Sequence, residues 1–197
     1  MKKVCAIVFG LVVLGVCMVF SALNGMVALD ETCNAKWSQV LNQYQRRADL
    51  IPNLMATVMG YARHEQDTFI EVVEARAKVT QTKISSDIIS NEEAMKTFMQ
   101  NQGALSTALS RLLAVVERYP DLKSNENFMA LQSQLEGTEN RISVARRDYI
   151  DSVRKFNTKI RTIPTKWIVE AFSDFEKKAT FDIDESKKEV PQVDFSK

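Results

Sequence analysis

Apolar positions divide the chain into one uninterrupted apolar run and three longer stretches with helical periodicity. The apolar run covers residues 4–23 and contains no charged residue. In the stretches that follow, apolar residues recur in mixed steps of three and four, the spacing that places them on one face of an α-helix. The pattern therefore predicts an apolar helix followed by long amphipathic helices.

The three amphipathic stretches cover about residues 29–79, 90–119 and 124–163. Ser90 is the predicted N-cap of the second stretch, because Glu93 three residues later completes a capping box. A proline directly follows the second and the third stretch. Long apolar stripes joined by short connections pack at shallow crossing angles. We expect an all-α fold, an antiparallel up-and-down helical bundle that resembles a four-helix bundle.

The chain is expected to contain three regions. Residues 1–25 form a membrane anchor, and residues 24 and 25 are a candidate hinge. Residues 26–172 form the helical bundle, which closes with a short helix at about residues 165–172. Residues 173–197 form a charged tail, either loose or docked onto the bundle surface.

The apolar run has the length of a membrane span. Twenty residues at about 1.5 Å per residue cover roughly 30 Å, the thickness of a bilayer's hydrocarbon core. Lys2 and Lys3 precede the run, and Asp30 and Glu31 follow it. By the positive-inside tendency, the N-terminus lies in the cytoplasm and the helical domain on the periplasmic or extracellular side of a bacterial plasma membrane.

Two other interpretations of the N-terminus are less favoured. A signal peptide cleaved before Ala22 needs a shorter apolar core than this one. A lipoprotein signal ending at Cys17 has apolar sequence where it should stop. Three cysteines make no disulfide framework. Cys33, just beyond the span, is either a small apolar residue or the site of an intermolecular bridge.

Two long stretches resemble a known family. The first is WSQVLNQYQRRADLIPNLMATVMGYARHE, residues 37–65, and the second is RYPDLKSNENFMALQSQLEGTENRISVARRDYIDSVRKFNTKIR, residues 118–161. Both resemble the signature of the LemA family, and VPQVDF at residues 190–195 is similar to its usual ending. The resemblance implies a single N-terminal membrane helix and an all-α bundle. It implies no defined activity, because the biochemistry of the family is largely undefined.

The composition offers little for catalysis or nucleic-acid binding. Lys and Arg total 26 against 25 Asp and Glu, and the two signs are interleaved, so we expect no nucleic-acid partner. His64 is the single histidine. The chain has no pair of Glu-x-x-His motifs, no HExxH and no Gly-rich phosphate loop. We expect no cofactor, no metal site and no catalytic activity.

Charged residues interrupt the apolar stripes. Glu65 and Arg76 are eleven residues apart in the first stretch, three helical turns, and are predicted to point the same way. Acids and bases of the third stretch, among them Glu139 and Arg146, are available to answer them. We interpret these residues as interhelical ion pairs that fix register. The alternative is a polar groove for a ligand or peptide.

Pro52 lies inside the first stretch. It removes the backbone hydrogen bond to the Ala48 carbonyl, so it is predicted to bend or break the helix. Asp49 is predicted to cap a restarted helix. Arg46 and Arg47 are predicted to bond to the freed carbonyl or to acids across the bundle.

The sequence also allows specific predictions for four further residues. Gly137 lies inside a predicted helix, where glycine costs about 1 kcal/mol relative to alanine, so close packing against another backbone is expected there. His64 is interpreted as a rim residue bonded to a neighbouring helix, with pH sensing as the alternative. Trp37 and Trp167 are expected in the core, although both are also candidate interface anchors.

Together these features favour a membrane-tethered interaction or scaffold protein that self-associates. Its expected partners are the membrane, other membrane or envelope proteins and further copies of itself. The alternative is a sensor domain that binds a small ligand or peptide between its helices, along the polar residues of the stripes.

Overall fold

The computed structural model describes residues 1–81 and 86–181, and all regular secondary structure within them is helical. This confirms the predicted all-α bundle behind a long apolar helix. The helices are α1 (Lys2–Met59), α2 (Gln66–Gln81), α3 (Glu92–Val116), α4 (Pro120–Lys123), α5 (Glu126–Arg161) and α6 (Thr165–Phe172), with a 3₁₀ turn at Ser86–Ser90.

Helix α1 joins the apolar run to the bundle without a break. Its 58 residues extend for about 87 Å at a helical rise of about 1.5 Å. It is the one helix of the described residues that is long and apolar enough to cross a membrane, and its most apolar window is not buried. The predicted hinge at residues 24 and 25 is wrong, because Met26 is already buried against the bundle and continues the stripe.

The first amphipathic stretch is two helices rather than one. Gly60 ends α1, and residues 61–65 form a turn that leads into α2. Val58, Ala62 and Phe69 keep the helical spacing across this turn, and all three are buried in the same core. The periodicity therefore did not reveal the break, and over the described residues the bundle has four long helices.

Pairing of charged residues shows how the helices run. Lys36 on α1 bonds Asp148 on α5 at 3.0 Å, and Arg47 bonds Glu139 at 2.8 Å, so α1 and α5 are antiparallel. Arg111 on α3 pairs with Glu71 on α2, and Arg118 just after α3 pairs with Glu65 just before α2, so α2 and α3 are also antiparallel. The bundle therefore has the expected up-and-down order, with α1 packed along α5 and α2 along α3.

The buried residues form two cores along the bundle. We call the one nearer the apolar run the proximal core and the other the distal core. The distal core is mainly aliphatic: Ile51, Leu54, Val58, Ala62, Phe69, Val72, Ala75, Val79, Leu105, Ala108, Leu109, Leu112, Val115, Val116, Leu122, Phe128 and Leu135. The proximal core is rich in aromatic residues: Met26, Cys33, Trp37, Val40, Tyr44, Ile88, Ile89, Met95, Phe98, Ile142, Ala145, Tyr149, Val153, Phe156, Val169 and Phe181.

The N-cap of α3 lies one residue later than expected. Asn91, not Ser90, is the cap, and its side-chain oxygen accepts from the backbone N–H groups of Glu93 and Ala94, both at 3.0 Å. Ser90 is instead the last residue of the 3₁₀ turn. Asparagine and serine are about equally good caps, so the sequence alone did not separate them.

Residues 173–181, which we call the strap, lie without regular structure along the proximal core. The Asn157 side chain donates to the Lys178 carbonyl and accepts from its N–H, both at 2.9 Å. The Ala179 N–H donates to the Ile89 carbonyl at 2.8 Å, and Phe181 is buried. This part of the predicted tail is docked. The remainder, with the VPQVDF ending, lies outside the described residues.

Candidate functional site

A polar layer centred on Arg47 separates the two cores. Arg47 is 1% exposed, although it carries a full charge. Its guanidinium donates to the Ser106 hydroxyl at 2.9 Å, to Glu139 at 2.8 Å, and to the carbonyl and side-chain oxygens of Gln102. The Tyr44 ring lies 5.1 Å from the guanidinium carbon. Three helices thus meet at one side chain.

The layer holds a buried charge between three helices. A buried cation is tolerated only when it is paired and hydrogen-bonded, and Arg47 meets this condition through α3 and α5. Sliding either helix by one turn would leave its charge unpaired. The Glu139 side chain is 45% exposed, so the ion pair reaches solvent on one side. The Arg47 Nε atom has no hydrogen-bond partner in the part of the chain that the structure describes.

Pro52 lies inside α1 without breaking it. Because proline has no N–H, the Ala48 carbonyl lacks its helical donor. Arg76 of α2 supplies the bond instead, with its Nε atom 3.0 Å from the Ala48 oxygen. The freed carbonyl is therefore a contact point between α1 and α2.

The predicted partners of that carbonyl lie elsewhere. Arg46 is exposed, and Arg47 is held in the polar layer. Asp49 does not cap a restarted helix, because α1 is continuous. It accepts instead from the Gln45 side chain at 2.7 Å on the exposed face. The bond of Arg47 to Glu139 confirms the predicted contact with an acid across the bundle. The cap at Asp49 and the arginine bond to the carbonyl were wrong, because a side chain from another helix reaches that carbonyl, a contact that local spacing does not reveal.

Glu65 and Arg76 do not share a partner. Glu65 lies in the turn before α2, where it accepts from the Arg118 guanidinium at 2.9 Å and from the Tyr119 hydroxyl at 3.3 Å. Arg76 lies at the Ala48 carbonyl. Their side chains thus bond different parts of the bundle, and neither is answered by an acid or base of α5 as expected.

Arg146 and Gly137 on α5 belong to different surroundings. The Arg146 guanidinium lies over the Phe181 ring, 4.5 Å from its centre, and so helps to hold the strap. Gly137 does not receive another backbone. Among the described residues, a methyl group added there meets only the Arg141 guanidinium, at 3.5 Å. The predicted close packing is wrong, and nothing in the structure explains this glycine.

The remaining candidates separate into buried and exposed residues. Trp37 is buried against Phe98 and Tyr149, with ring centres 5.3 and 5.2 Å away. Trp167, also expected in the core, is exposed on α6 because that helix buries its opposite face. His64 is exposed in the turn between α1 and α2, not bonded at a helix rim as predicted.

Cys33 is 0% exposed, which rules out the proposed intermolecular bridge in the folded chain. Burial raises the pKa of its thiol, while a hydrogen bond with Ser152 and the charge of Lys178 oppose that shift. Burial likewise raises the pKa of Tyr44, against the nearby charges of Arg146 and Arg47. The proximal core thus holds groups that resist ionisation.

Among the described residues, two open grooves stand out, and none of the seven predicted polar residues lines either one. A groove of about 320 Å³ between α1 and α5 is lined by Gln39, Gln43, Asn140, Arg141, Val144, Ala145 and Asp148. A second, of about 340 Å³, is lined by Asp30, Asn34, Ile89, Ser90, Phe156, Asp174, Phe175, Glu176 and Lys178. The strap forms part of the second groove. Because the strap has no helical periodicity, the sequence pattern did not predict this groove. Over the described residues, no group of three or more His, Cys, Asp or Glu side chains is placed to hold a metal ion.

Known proteins with similar sequences include three curated relatives. Magnetosome protein MamQ 2 of Paramagnetospirillum magneticum is 28% identical, over 73% of this chain and 57% of its own length. Magnetosome protein MamQ of Magnetospirillum gryphiswaldense is 26% identical with the same coverage. Protein LemA of Metamycoplasma hominis is 28% identical, over 64% of this chain and 53% of its own. The chain spans just over half the length of these relatives.

The family match covers most of the bundle. The sequence model of the LemA family matches residues 36–195, from just before Trp37 to Phe195. This range includes both long stretches that carried the resemblance, the Arg47 layer and the strap. A helical fold behind an apolar N-terminal helix fits a membrane-associated helical protein, and the chain belongs to the LemA family.

Proposed function

We propose that this chain is a membrane-tethered interaction protein that self-associates and recruits other membrane or envelope proteins, without catalytic activity of its own. One observation carries the proposal. The apolar residues 4–23 are exposed or only half-buried in the structure, and the same helix continues without a break into the bundle. An apolar surface of this length needs a bilayer to cover it.

The continuity of α1 supports a spacer role. Residues 24–59 extend the helix by about 54 Å beyond the apolar run, at a rise of about 1.5 Å per residue. The distal end of the bundle is therefore held well away from the membrane surface. We infer from the flanking charges that the N-terminus is cytoplasmic and the bundle periplasmic or extracellular.

The distal end presents apolar side chains to solvent. Met59, Tyr61 and Met129 are all exposed there. The Tyr61 hydroxyl accepts from the Asn125 side chain at 3.0 Å. Asn125 lies one helical turn before Met129, so these residues are in one region of the surface. We call it the distal tip. Clustered exposed apolar residues favour a protein contact, and tyrosine and methionine are enriched in such contacts.

The test is photo-crosslinking in cells from the distal tip. A photoreactive residue at position 61 is expected to give discrete adducts, one of them near twice the 22.3 kDa chain mass. The matched control places the same group at exposed Lys96 on the proximal half of α3, where we expect far fewer adducts. Trp37 is unsuitable because it is buried. A chain that stays monomeric, with the same adducts from both positions, would refute the proposal.

A further inference from the structure

The end of the bundle beside the apolar run exposes three large apolar side chains within ten residues. Ile163, Trp167 and Phe172 are 59%, 61% and 67% exposed. We call these three residues the foot. Helix α6 buries one face through Ile168 and Val169, and Trp167 lies on the opposite face, so Trp167 is not a core residue that failed to pack. Phe172 is exposed at the end of the same helix. Single exposed apolar residues are ordinary, but a cluster of this kind marks a contact surface.

The register of the bundle places the foot beside the apolar run. Eleven residues separate Lys36 from Arg47, and nine separate their partners Glu139 and Asp148, so α1 and α5 run nearly in step. Continuing this register for the 13 residues from Asp148 to the end of α5 brings Arg161 level with about residues 20–24 of α1. The foot follows directly after that point.

Burial along α1 supports the same placement independently. Residues 4–18 are exposed throughout, whereas Val19, Ala22 and Leu23 are half-buried and Met26 is buried. These four positions lie on one helical face. Val169 of α6 shares the proximal core with Met26, and α6 packs against α1. Helix α6 therefore covers the last turns of the apolar run.

The polar residues around the foot suit a lipid headgroup layer. Lys159, Arg161 and Lys166 are exposed beside it, and Lys166 pairs with Glu170 at 3.8 Å. Tryptophan is enriched where hydrocarbon meets headgroups, and lysine or arginine side chains extend their charge toward phosphate there. Exposed acids, Glu170 and Asp174, also lie near the foot, but the residues that lead into it are basic, and an apolar tip of this kind fits the headgroup layer better than open water.

We propose that the foot inserts into the interfacial layer of the same bilayer that α1 crosses, giving the bundle a second membrane contact. The inference rests on the proposed function, because it needs residues 4–23 to span the membrane. Two contacts fix the tilt of the bundle, so that the distal tip is presented at a set height and direction.

The experiment uses the full chain in phosphatidylcholine–phosphatidylglycerol nanodiscs, with bromine atoms near the top of the lipid acyl chains. The chain has two tryptophans, so Trp37→Phe leaves Trp167 as the only reporter. We expect brominated lipid to quench most of the Trp167 emission and aqueous acrylamide to quench little. The matched control, Trp167→Phe, leaves Trp37 about 21 Å beyond Leu23 along α1, and brominated lipid should not quench it. If Trp37→Phe does not fold, the difference between wild type and Trp167→Phe gives the same signal.

The outcomes separate this inference from the proposed function. If acrylamide quenches the Trp167 emission and brominated lipid does not, the proposal that the foot inserts into the bilayer is refuted. Protection from acrylamide without bromine quenching would overturn it in favour of a second copy of the chain. Release of the chain from vesicles by alkaline carbonate would instead overturn the membrane span, and with it the proposed function.

Discussion

The two halves of the bundle are stabilised in different ways. In the distal half, α1, α2, α3 and α5 bury mainly branched aliphatic side chains in a four-helix arrangement. In the proximal half the 3₁₀ turn, α6 and the strap take the place of α2, and the core becomes aromatic. Aromatic side chains bury more area per residue, and their edge-on contacts add directional packing. The difference shows how a bundle can lose one helix and keep a closed core.

The Arg47 layer lies at the boundary between the distal and the proximal half of the bundle. Its partners Gln102 on α3 and Glu139 on α5 each fall between residues of the two cores. Arg76 of α2 bonds to the Ala48 carbonyl at the same level. The layer therefore couples the halves, and its loss should affect both.

The largest expected effect on stability follows from removing the Arg47 side chain. Arg47→Ala should lower the free energy of unfolding by about 2–5 kcal/mol, because the buried Gln102 side chain loses its partner and a cavity opens. The measurement is urea unfolding of the full chain in detergent, followed by circular dichroism. Arg46→Ala, on the exposed neighbour, should change stability by no more than about 0.5 kcal/mol. Equal effects of the two substitutions would show that the layer does not couple the halves.

The strap should unfold more easily than the helices of the proximal half. Asn157→Ala leaves the buried N–H and carbonyl of Lys178 without partners, which should cost about 1–3 kcal/mol. Hydrogen exchange at the Ala179 amide should accelerate, because that amide bonds to Ile89 only while the strap is docked. Amides of α2 should keep their protection. Asn140→Ala, an exposed asparagine on the same helix, is the control. Faster exchange in both halves would mean that the strap is not a separate unit.

The sequence predicted the stripes well and the contacts between them poorly. The stripes of α3 and α5 predicted those helices to within a few residues, because an α-helix is the regular structure that brings steps of three and four residues onto one face. Pairing of Arg47 with Glu139 was within reach, since a charge inside a stripe needs a partner on another helix. The partner itself could be chosen only from the register, which the structure supplied.

Other features carried no local signal. Gly60 was the one hint of the turn after α1, and the apolar spacing ran on across it. The bond from Arg76 to the Ala48 carbonyl joins residues 28 apart in the chain. The strap has no periodicity, because its contacts come from its backbone and from single aromatic residues. Exposure of Trp167 was missed because tryptophan in a short amphipathic helix is more often buried.

In the distal half, the bond from Arg76 to the Ala48 carbonyl, which Pro52 leaves without its helical donor, can be tested with a double-mutant cycle. Arg76→Met leaves the Ala48 carbonyl without a donor and should cost about 1–2 kcal/mol. Pro52→Ala restores an N–H four residues after Ala48, so in that background Arg76→Met should cost about 1 kcal/mol less. Unfolding free energies of the four chains give the coupling. Additive effects would show that Arg76 acts through packing alone and not through the carbonyl.

The smallest expected effect is a difference in alkaline sensitivity. Burial raises the pKa of Cys33 above its ordinary value of 9.0, and burial also raises the pKa of Tyr149. The folded chain therefore holds these protons at pH values where the unfolded chain has released them. The contribution to stability is complete below the unfolded pKa and is lost as the pH rises from there through the folded pKa. For one group the slope cannot exceed about 1.4 kcal/mol per pH unit.

Between pH 8 and 10 the thiol should dominate this slope, because thiols ionise before phenols. With Cys5 and Cys17 both replaced by alanine, the unfolding free energy should fall as the pH rises through this range. Adding Cys33→Ala should lower stability at every pH by its cavity but flatten the dependence on pH. Hydrogen exchange, corrected for its intrinsic rate, should show the alkaline loss first in the proximal half. An unchanged slope in the Cys33→Ala chain would mean that the buried thiol does not set the alkaline limit, and that the two halves differ in packing but not in their response to pH.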